Sequence, residues 1–432
     1  MKLNNKRTIL VGFAFLSICA FWQMYDSVIP KILTDTFHLN ESITGIIMAA
    51  DNILALFLLP LFGFFSDKSK SRFGKRRPFI LFGTVAAVIA MNLLPIIDNS
   101  YFAAPSSLKL ILFVVALGIL LIAMGTYRSP AVALMPDVTP KPLRSKANAI
   151  INLMGAIGGM LFLVITSFLY SAKRTNGLEH IDYTMLFVIV AAIMVVSVII
   201  VLVTIKERKI EQEVKTYEDA HPEEILVEKN EAGEAKLPAA VKKSLGFLLL
   251  SIALWFIGYN AITSWFTVYA AQVWNMALGE ATTCLTVATL GAIVSYIPIG
   301  ALATKIGRKK TILGGVALLA LSFFTGFVFT LIFDSFSPAL YVIFLLVGLA
   351  WAAINVNSLP MVVEMCSGSD VGKFTGYYYT FSMAAQTITP IAAGTLLNKV
   401  SYQTLFPYAA FFVALSFVTM LFVKHGDNKV SA

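Results

Sequence analysis

Apolar runs of some twenty residues, each closed by a short polar interruption, fill almost the whole chain. They fall at 8–33, 43–65, 78–97, 108–134, 147–170 and 183–205, and again at 244–271, 281–304, 311–332, 339–362, 373–397 and 403–423. About 20 apolar residues are enough for a helix to cross the hydrocarbon core of a bilayer, so the pattern predicts twelve spans. One interruption is long: 206–243, rich in Glu and Lys, with Pro222 and Pro238. Within it Ile210, Val214 and Tyr217 recur at helical spacing and predict a short surface helix. The expected architecture is an all-α membrane protein: a six-helix bundle over 1–205, a linker over 206–243 and a second six-helix bundle over 244–432.

Composition agrees, since 58% of residues are hydrophobic and only 13% charged, which excludes an ordinary soluble domain. The net charge of +9 would suit nucleic acid. Its placement argues otherwise, because all Lys and Arg except Lys31, Lys109, Lys173, Arg174 and Lys399 fall on one predicted side of the membrane. That asymmetry marks the cytoplasmic side. It puts the linker and both termini in the cytoplasm and leaves no nucleic-acid surface. The basic N-terminus leads into a run too long for a signal peptide, so it reads as a retained first span. Cys19, Cys284 and Cys366 form no CxxC pair, and the four histidines lie in loops or tails. Neither a disulfide framework, a metal centre nor a cofactor is expected.

The richest interruption is 63–79. It runs from Gly63 through Asp67, Arg72 and Gly74 to Lys75, Arg76, Arg77 and Pro78, and holds six Lys or Arg and one acid. Asp67 follows the end of a helix, where the macrodipole disfavours an anion. It therefore calls for a partner, either an arginine or a neighbouring helix N-terminus. Gly63 would let another helix approach, and Pro78 suits a first helical turn. The order G-x-x-x-D-K followed by R-F-G-K-R-R-P-F resembles the loop between helices 2 and 3 of the major facilitator superfamily. It is most similar to the sucrose transporters and related glycoside:cation symporters. The resemblance implies two pseudo-symmetric six-helix bundles around a central cavity, lined by spans 1, 4, 7 and 10 and working by alternating access. It also implies that Asp137, Arg144 and Lys146 join Asp67 and Arg76 in a cytoplasmic gate together with Gly63, Gly74 and Arg77. The second half echoes the turn in Gly300 to Lys309, with Thr304 in place of the acid, so a weaker second latch is expected. Pro136-Asp137 with Lys146 is likewise echoed by Val363-Glu364 with Lys373.

Ionisable residues inside spans are costly and mark function. Three stand out: Asp26, Asp51 and Arg128. Trp22, Gln23, Asp26 and Pro30 share one broad helical face, which offers a sugar a ring to stack on and polar groups for its hydroxyls. Asp26 and Asp51 are the candidates for proton coupling. Alternatively, Asp26 is wet at the outer mouth and Asp51 pairs with a neighbouring helix. Arg128, followed by Pro130, would bind sugar hydroxyls, act as counter-ion to a carboxylate, or snorkel to the headgroups. Sucrose transporters carry their span-4 arginine in P-x-R-A-L-x-x-D. That slot is Val132 here, so Arg128 does not map onto it. In span 7 Trp255, Tyr259 and Asn260, and in span 10 Trp351 and Asn355, pair rings with polar groups. They are substrate-binding candidates, with aromatic packing as the alternative.

No HExxH, Walker loop or G-x-S-x-G occurs, so neither an enzyme nor an ATP-driven pump is expected. The reading is a secondary active transporter in the plasma or cytoplasmic membrane. It would carry a sugar of the disaccharide or glycoside class, driven by the proton gradient, with one chain sufficing as a monomer among membrane lipids. Melibiose-type symporters place paired acids on span 2 nearer the turn. Here those positions are apolar, which favours protons over sodium. Two alternatives remain: a proton-coupled exporter or antiporter, disfavoured by the lack of G-P-x-x-G-G in span 5, and a non-transporting nutrient sensor.

Overall fold

In lipid a backbone N–H or C=O has no water to bond, so a spanning segment must satisfy its own peptide groups. The computed structural model describes residues 3–140, 143–220, 238–365 and 371–426, and every regular element among them is a helix. Apart from the single turns Ala172–Thr175 and Tyr402–Thr404, in chain order these are α1 Asn5–Lys31, which continues into a π-helical turn Ile32–Thr36, α2 Glu41–Lys68, α3 Arg77–Ala103, α4 Ser107–Asp137, α5 Arg144–Leu169 and α6 Thr184–Thr204. There follow α7 Glu207–Ala220, α8 Ala239–Trp274, α9 Leu278–Ile306, α10 Arg308–Ile332, α11 Ala339–Val363, α12 Val371–Lys399 and α13 Leu405–Leu421. Local chemistry sets several ends. The Asn4 side chain accepts from Arg7 N, and the Ser106 hydroxyl accepts from Leu108 N. Pro78 sits in the first turn of α3, and Asn275 ends α8 in the left-handed region at φ 50°.

Eleven of the described helices are long and apolar enough to cross a membrane. The twelfth, α12, has 29 residues, but Tyr377, Tyr378, Tyr379, Gln386 and several threonines dilute its hydropathy. Large apolar side chains such as Phe57, Phe82 and Ile297 are exposed, which suits a lipid-facing surface and no aqueous one. The exception is α7, an amphipathic helix that buries Ile210 and Val214 and exposes Arg208, Lys209, Glu213 and Lys215. Two expected boundaries move. α3 runs to Ala103, six residues past the apolar run, and α8 begins at Ala239 inside the polar segment.

The chain divides into two compact units. Unit 1 comprises 1–39, 50–169 and 173–226, and unit 2 comprises 40–49, 170–172 and 227–432. The N-terminal end of α2 is grouped with unit 2. In unit 1, α1 packs on α5 and α6, and α3 packs on α4 and α6. In unit 2 the same pairings recur: α8 on α12 and α13, and α10 on α11 and α13. This is the duplication that the echoed turns imply.

Small residues sit where helices cross most closely. A Cβ on Gly158 would lie 1.9 Å from the carbonyl oxygen of Leu16, and one on Gly348 1.9 Å from that of Ala288. Neither backbone can yield without moving a whole helix. Gly158→Ala is therefore expected to cost about 1–3 kcal/mol, read as a lower melting temperature of the purified protein. Gly118→Ala, which meets nothing within 4 Å, should leave the melting temperature unchanged or slightly raised.

Candidate functional site

The basic turn between α2 and α3 folds around Arg76. Its side chain is almost wholly buried, and so has to find anions and acceptors inside the protein. Arg76 Nη2 donates to Asp67, Nε donates to Asp137 Oδ2 at 2.8 Å, and Nη1 donates to Ser66 Oγ. α2, α3 and α4 are thus tied by one guanidinium. Lys75 Nζ lies 3.5 Å from Asp137 and 2.7 Å from Glu211 of α7. Burial works against the Lys75 charge, but Glu211 and Asp137 outweigh it and hold the ammonium above the usual lysine range. Gly63 faces α4, where an added Cβ would stand 3.2 Å from Ser129 Oγ.

A residue the sequence reading passed over holds this turn in place. Glu207, the first residue of α7 and 1% exposed, aims its carboxylate at the N-terminus of α3. Oε1 accepts from Lys75 N at 2.8 Å and Arg76 N at 2.9 Å, and Oε2 accepts from Arg77 N at 3.1 Å. Burial raises the Glu207 carboxyl, and the three N–H donors pull part of the way back. Gly74 makes room, with φ at 116° and its missing Cβ 2.2 Å from Glu207 Oε2. Arg77 donates to the carbonyls of Phe73 and Leu202. The one available signal was an acid heading an amphipathic helix directly after span 6. In unit 2 Arg308, which follows Gly307 as Lys75 follows Gly74, forms an ion pair with Glu364, as Lys75 does with Asp137. The side chains of Arg144, Lys146, Thr304 and Lys373, and Cys366 altogether, lie outside the described residues.

Mid-span, unit 1 gathers the three ionisable residues. Trp22, Asp51 and Arg128 line one cavity with Ala55, Leu58, Leu59, Leu121 and Gly125. The Arg128 guanidinium lies 5.5 Å from the centroid of the Trp22 ring, a cation–π distance, so the side chain turns inward rather than snorkelling. Arg128 attracts Asp51, and Asp51 in turn repels Asp26. Asn52 Nδ2 donates to Asp51 Oδ1 at 2.8 Å. Trp22, Gln23 and Asp26 are all half-buried, and the Trp22 indole N–H is buried without an acceptor. Gln23 Nε2 reaches Ser27 Oγ at 3.4 Å.

In unit 2 the pairing of rings differs from the helical spacing. Tyr259 stacks on Trp351 of the neighbouring helix, with centroids 3.7 Å apart and planes within 5°. Trp255 is 0% exposed, so it has no face to offer a ligand. Asn355 is exposed, and the Asn260 amide nitrogen is buried without an acceptor.

The family model described as Major Facilitator Superfamily matches residues 11–284 and 269–432. The chain is 28% identical over 152 residues to "Sucrose transport protein SUC3" of Arabidopsis thaliana, covering 32% of this chain and 25% of that protein. It is 27% identical over 170 residues to "Sucrose transport protein SUT4" of Oryza sativa subsp. indica, covering 37% and 28%. The chain thus spans about a quarter of the length of these relatives. Among solved structures, the xylose transporter XylE from E. coli in an inward open conformation superposes with a TM-score of 0.69 at 15% identity, over 99% of this chain and 97% of that one. A bacterial homologue of the iron transporter ferroportin superposes with a TM-score of 0.70 at 13% identity, over 98% and 99%. These two likenesses establish the fold. The chain belongs to the Major Facilitator Superfamily, and it is an integral membrane protein.

Glu207→Gln replaces an acceptor oxygen with a donor facing three N–H groups. It is expected to cost about 1–3 kcal/mol, seen as a lower melting temperature and faster tryptic cleavage after Arg72 and Lys75. An unchanged cleavage rate would mean that the turn holds without its carboxylate.

Proposed function

We propose that this member of the Major Facilitator Superfamily takes up a sugar of the disaccharide or glycoside class together with protons, by alternating access. The observation that carries the reading is the cluster of Asp26, Asp51, Arg128 and Trp22 in unit 1. Two carboxylates that repel each other cannot both stay charged cheaply in a low-dielectric site, so one takes a proton. Arg128 then balances the single remaining anion. Discharging or loading that proton changes which partner Arg128 holds, and this gives the proton a way to bias the protein between two states.

Sugar binding asks for a ring face and unspent hydrogen-bonding groups. Trp22 supplies an aromatic ring and a buried indole N–H with no acceptor. Gln23 and Asp26 follow on the same helix. Tyr259, Trp351, Asn260 and Asn355 add further candidates from unit 2. The two relatives of known name are sucrose transport proteins, which favours the same substrate class.

The Asp67–Arg76–Asp137 network acts as the cytoplasmic gate in this scheme, broken and re-formed in each cycle. Its design fits that use, because Asp67 is 60% exposed. That arm is a wet ion pair worth only about 0–1 kcal/mol, whereas the Arg76–Asp137 arm is largely buried and costs more to break. Both termini are cytoplasmic, as the basic turns demand, and a single chain completes the transporter.

The test is uptake of labelled sucrose and maltose into proteoliposomes under an inward proton gradient. Gradient-driven accumulation should disappear in Asp26→Asn or Asp51→Asn, while sugar exchange at equal pH on both sides persists. Trp22→Ala should raise the half-saturating sugar concentration about 5-fold, for roughly 1 kcal/mol of lost stacking. Accumulation that survives both carboxylate substitutions would remove them from coupling, and failure to move either sugar at any pH would overturn the substrate class.

A further inference from the structure

At the end of unit 1 opposite the basic turn, α3 continues past its apolar run and carries Asp98 with it. Asp98 is 0% exposed, and neither of its oxygens accepts a hydrogen bond of ordinary geometry among the described residues. The Thr36 hydroxyl, on the π-helical turn after α1, faces it without making such a bond. The nearest group able to carry positive charge is His180, whose Nε2 lies 3.8 Å from Asp98 Oδ2.

His180 is held in position. Its ring stacks on Phe102 with centroids 4.5 Å apart, and Nε2 contacts the Asn99 carbonyl oxygen at 2.7 Å. A carbonyl oxygen only accepts, so Nε2 carries a hydrogen committed to Asn99. Asn99 Nδ2 in turn donates to Asp182 Oδ1 at 2.8 Å, and Thr184 N donates to the same oxygen at 2.8 Å. Burial lowers the tendency of His180 to take a second proton, with Asp182 opposing. Of the charges on the covering segment, Lys173, Arg174 and Glu179 form no ion pair with Asp98 among the described residues, and the cations of the neighbouring elements are engaged elsewhere. Lys31 bonds Asp35 at 2.7 Å, and the Lys109 ammonium bonds the carbonyls of Ser100 and Ala104. An ionised Asp98 would therefore face two further carboxylates, Asp35 and Asp182, with no cation of its own. A carboxylate buried without a committed cation is among the costliest groups to keep charged.

We propose that Asp98 is a proton-binding site separate from Asp26 and Asp51, a carboxyl kept protonated beneath the His180-bearing segment 171–183. Its proton is what allows that segment to seal over the end of α3. Loss of the proton puts a third negative charge under the segment and releases it. The site stands independently of whether Asp26 or Asp51 couples transport.

The experiment is infrared difference spectroscopy of the full-length protein in lipid, wild type against Asp98→Asn, with hydrogen exchange of 171–183 followed over the same pH series. At neutral pH the difference should contain a protonated carboxyl C=O band that vanishes as pH rises. Exchange of 171–183 should increase over the same range in wild type and stay flat in Asp98→Asn. A difference showing only carboxylate bands, or a carboxylate band that moves on adding sodium, would overturn the proposal. So would exchange that rises equally in both proteins. Should Asp98→Asn fail to fold, His180→Gln keeps the carboxyl but opens its cover to water. The carboxyl band should then titrate at lower pH than in wild type, and an unmoved midpoint counts against the site.

Discussion

A charge in a helix sized for a membrane has no water to turn to, and most of what distinguishes this chain from a bundle of apolar rods follows from that. Its polar side chains gather in three places in unit 1: the Arg76 network at the basic end, the Asp26–Asp51–Arg128 cluster mid-span, and Asp98 beneath His180 at the far end. Each place handles the cost differently. Arg76 is fully engaged by carboxylates and a hydroxyl. The mid-span group has one cation for two acids, an imbalance that a proton can correct. Asp98 has no committed cation.

The Arg76 network also explains why a polar linker helix belongs to unit 1. α7 contributes little apolar surface beyond Ile210 and Val214. What fixes it is Glu207, whose carboxylate satisfies the three backbone N–H groups that open α3, at the positive end of that helix's dipole. Glu211 then reaches Lys75, and Arg208 Nη2 donates to the Lys70 carbonyl at 3.2 Å. A turn crowded with six cations is held in shape by acids borrowed from elsewhere in the chain.

Duplication shapes the rest. Helix pairings in unit 1 recur in unit 2, and Arg308 with Glu364 repeats Lys75 with Asp137. The halves have nevertheless diverged in chemistry. The mid-span carboxylates and arginine are all in unit 1, whereas the candidates in unit 2 are aromatic rings and amides.

By itself the sequence determined the helices, their number and their approximate ends, because run length against membrane thickness is a one-dimensional measurement. It also singled out Asp26, Asp51, Arg128 and the 63–79 turn, because a charge inside an apolar run is conspicuous wherever the run folds. Only the tertiary structure decided which partners these residues have. Glu207 is 131 positions from Arg76, and nothing local announces that its carboxylate fills the start of α3. Trp255 and Tyr259 are one turn apart in the chain, yet one is sealed in the interior and the other stacks on Trp351 from another helix. Asp98 looked like a loop residue because the apolar run ends at Ile97. The helix continues because its following turns pack on their neighbours, and burial turns an ordinary acid into an unusual one. Helical periodicity reports faces, whereas partners depend on which faces meet, and that is settled by packing across the whole unit.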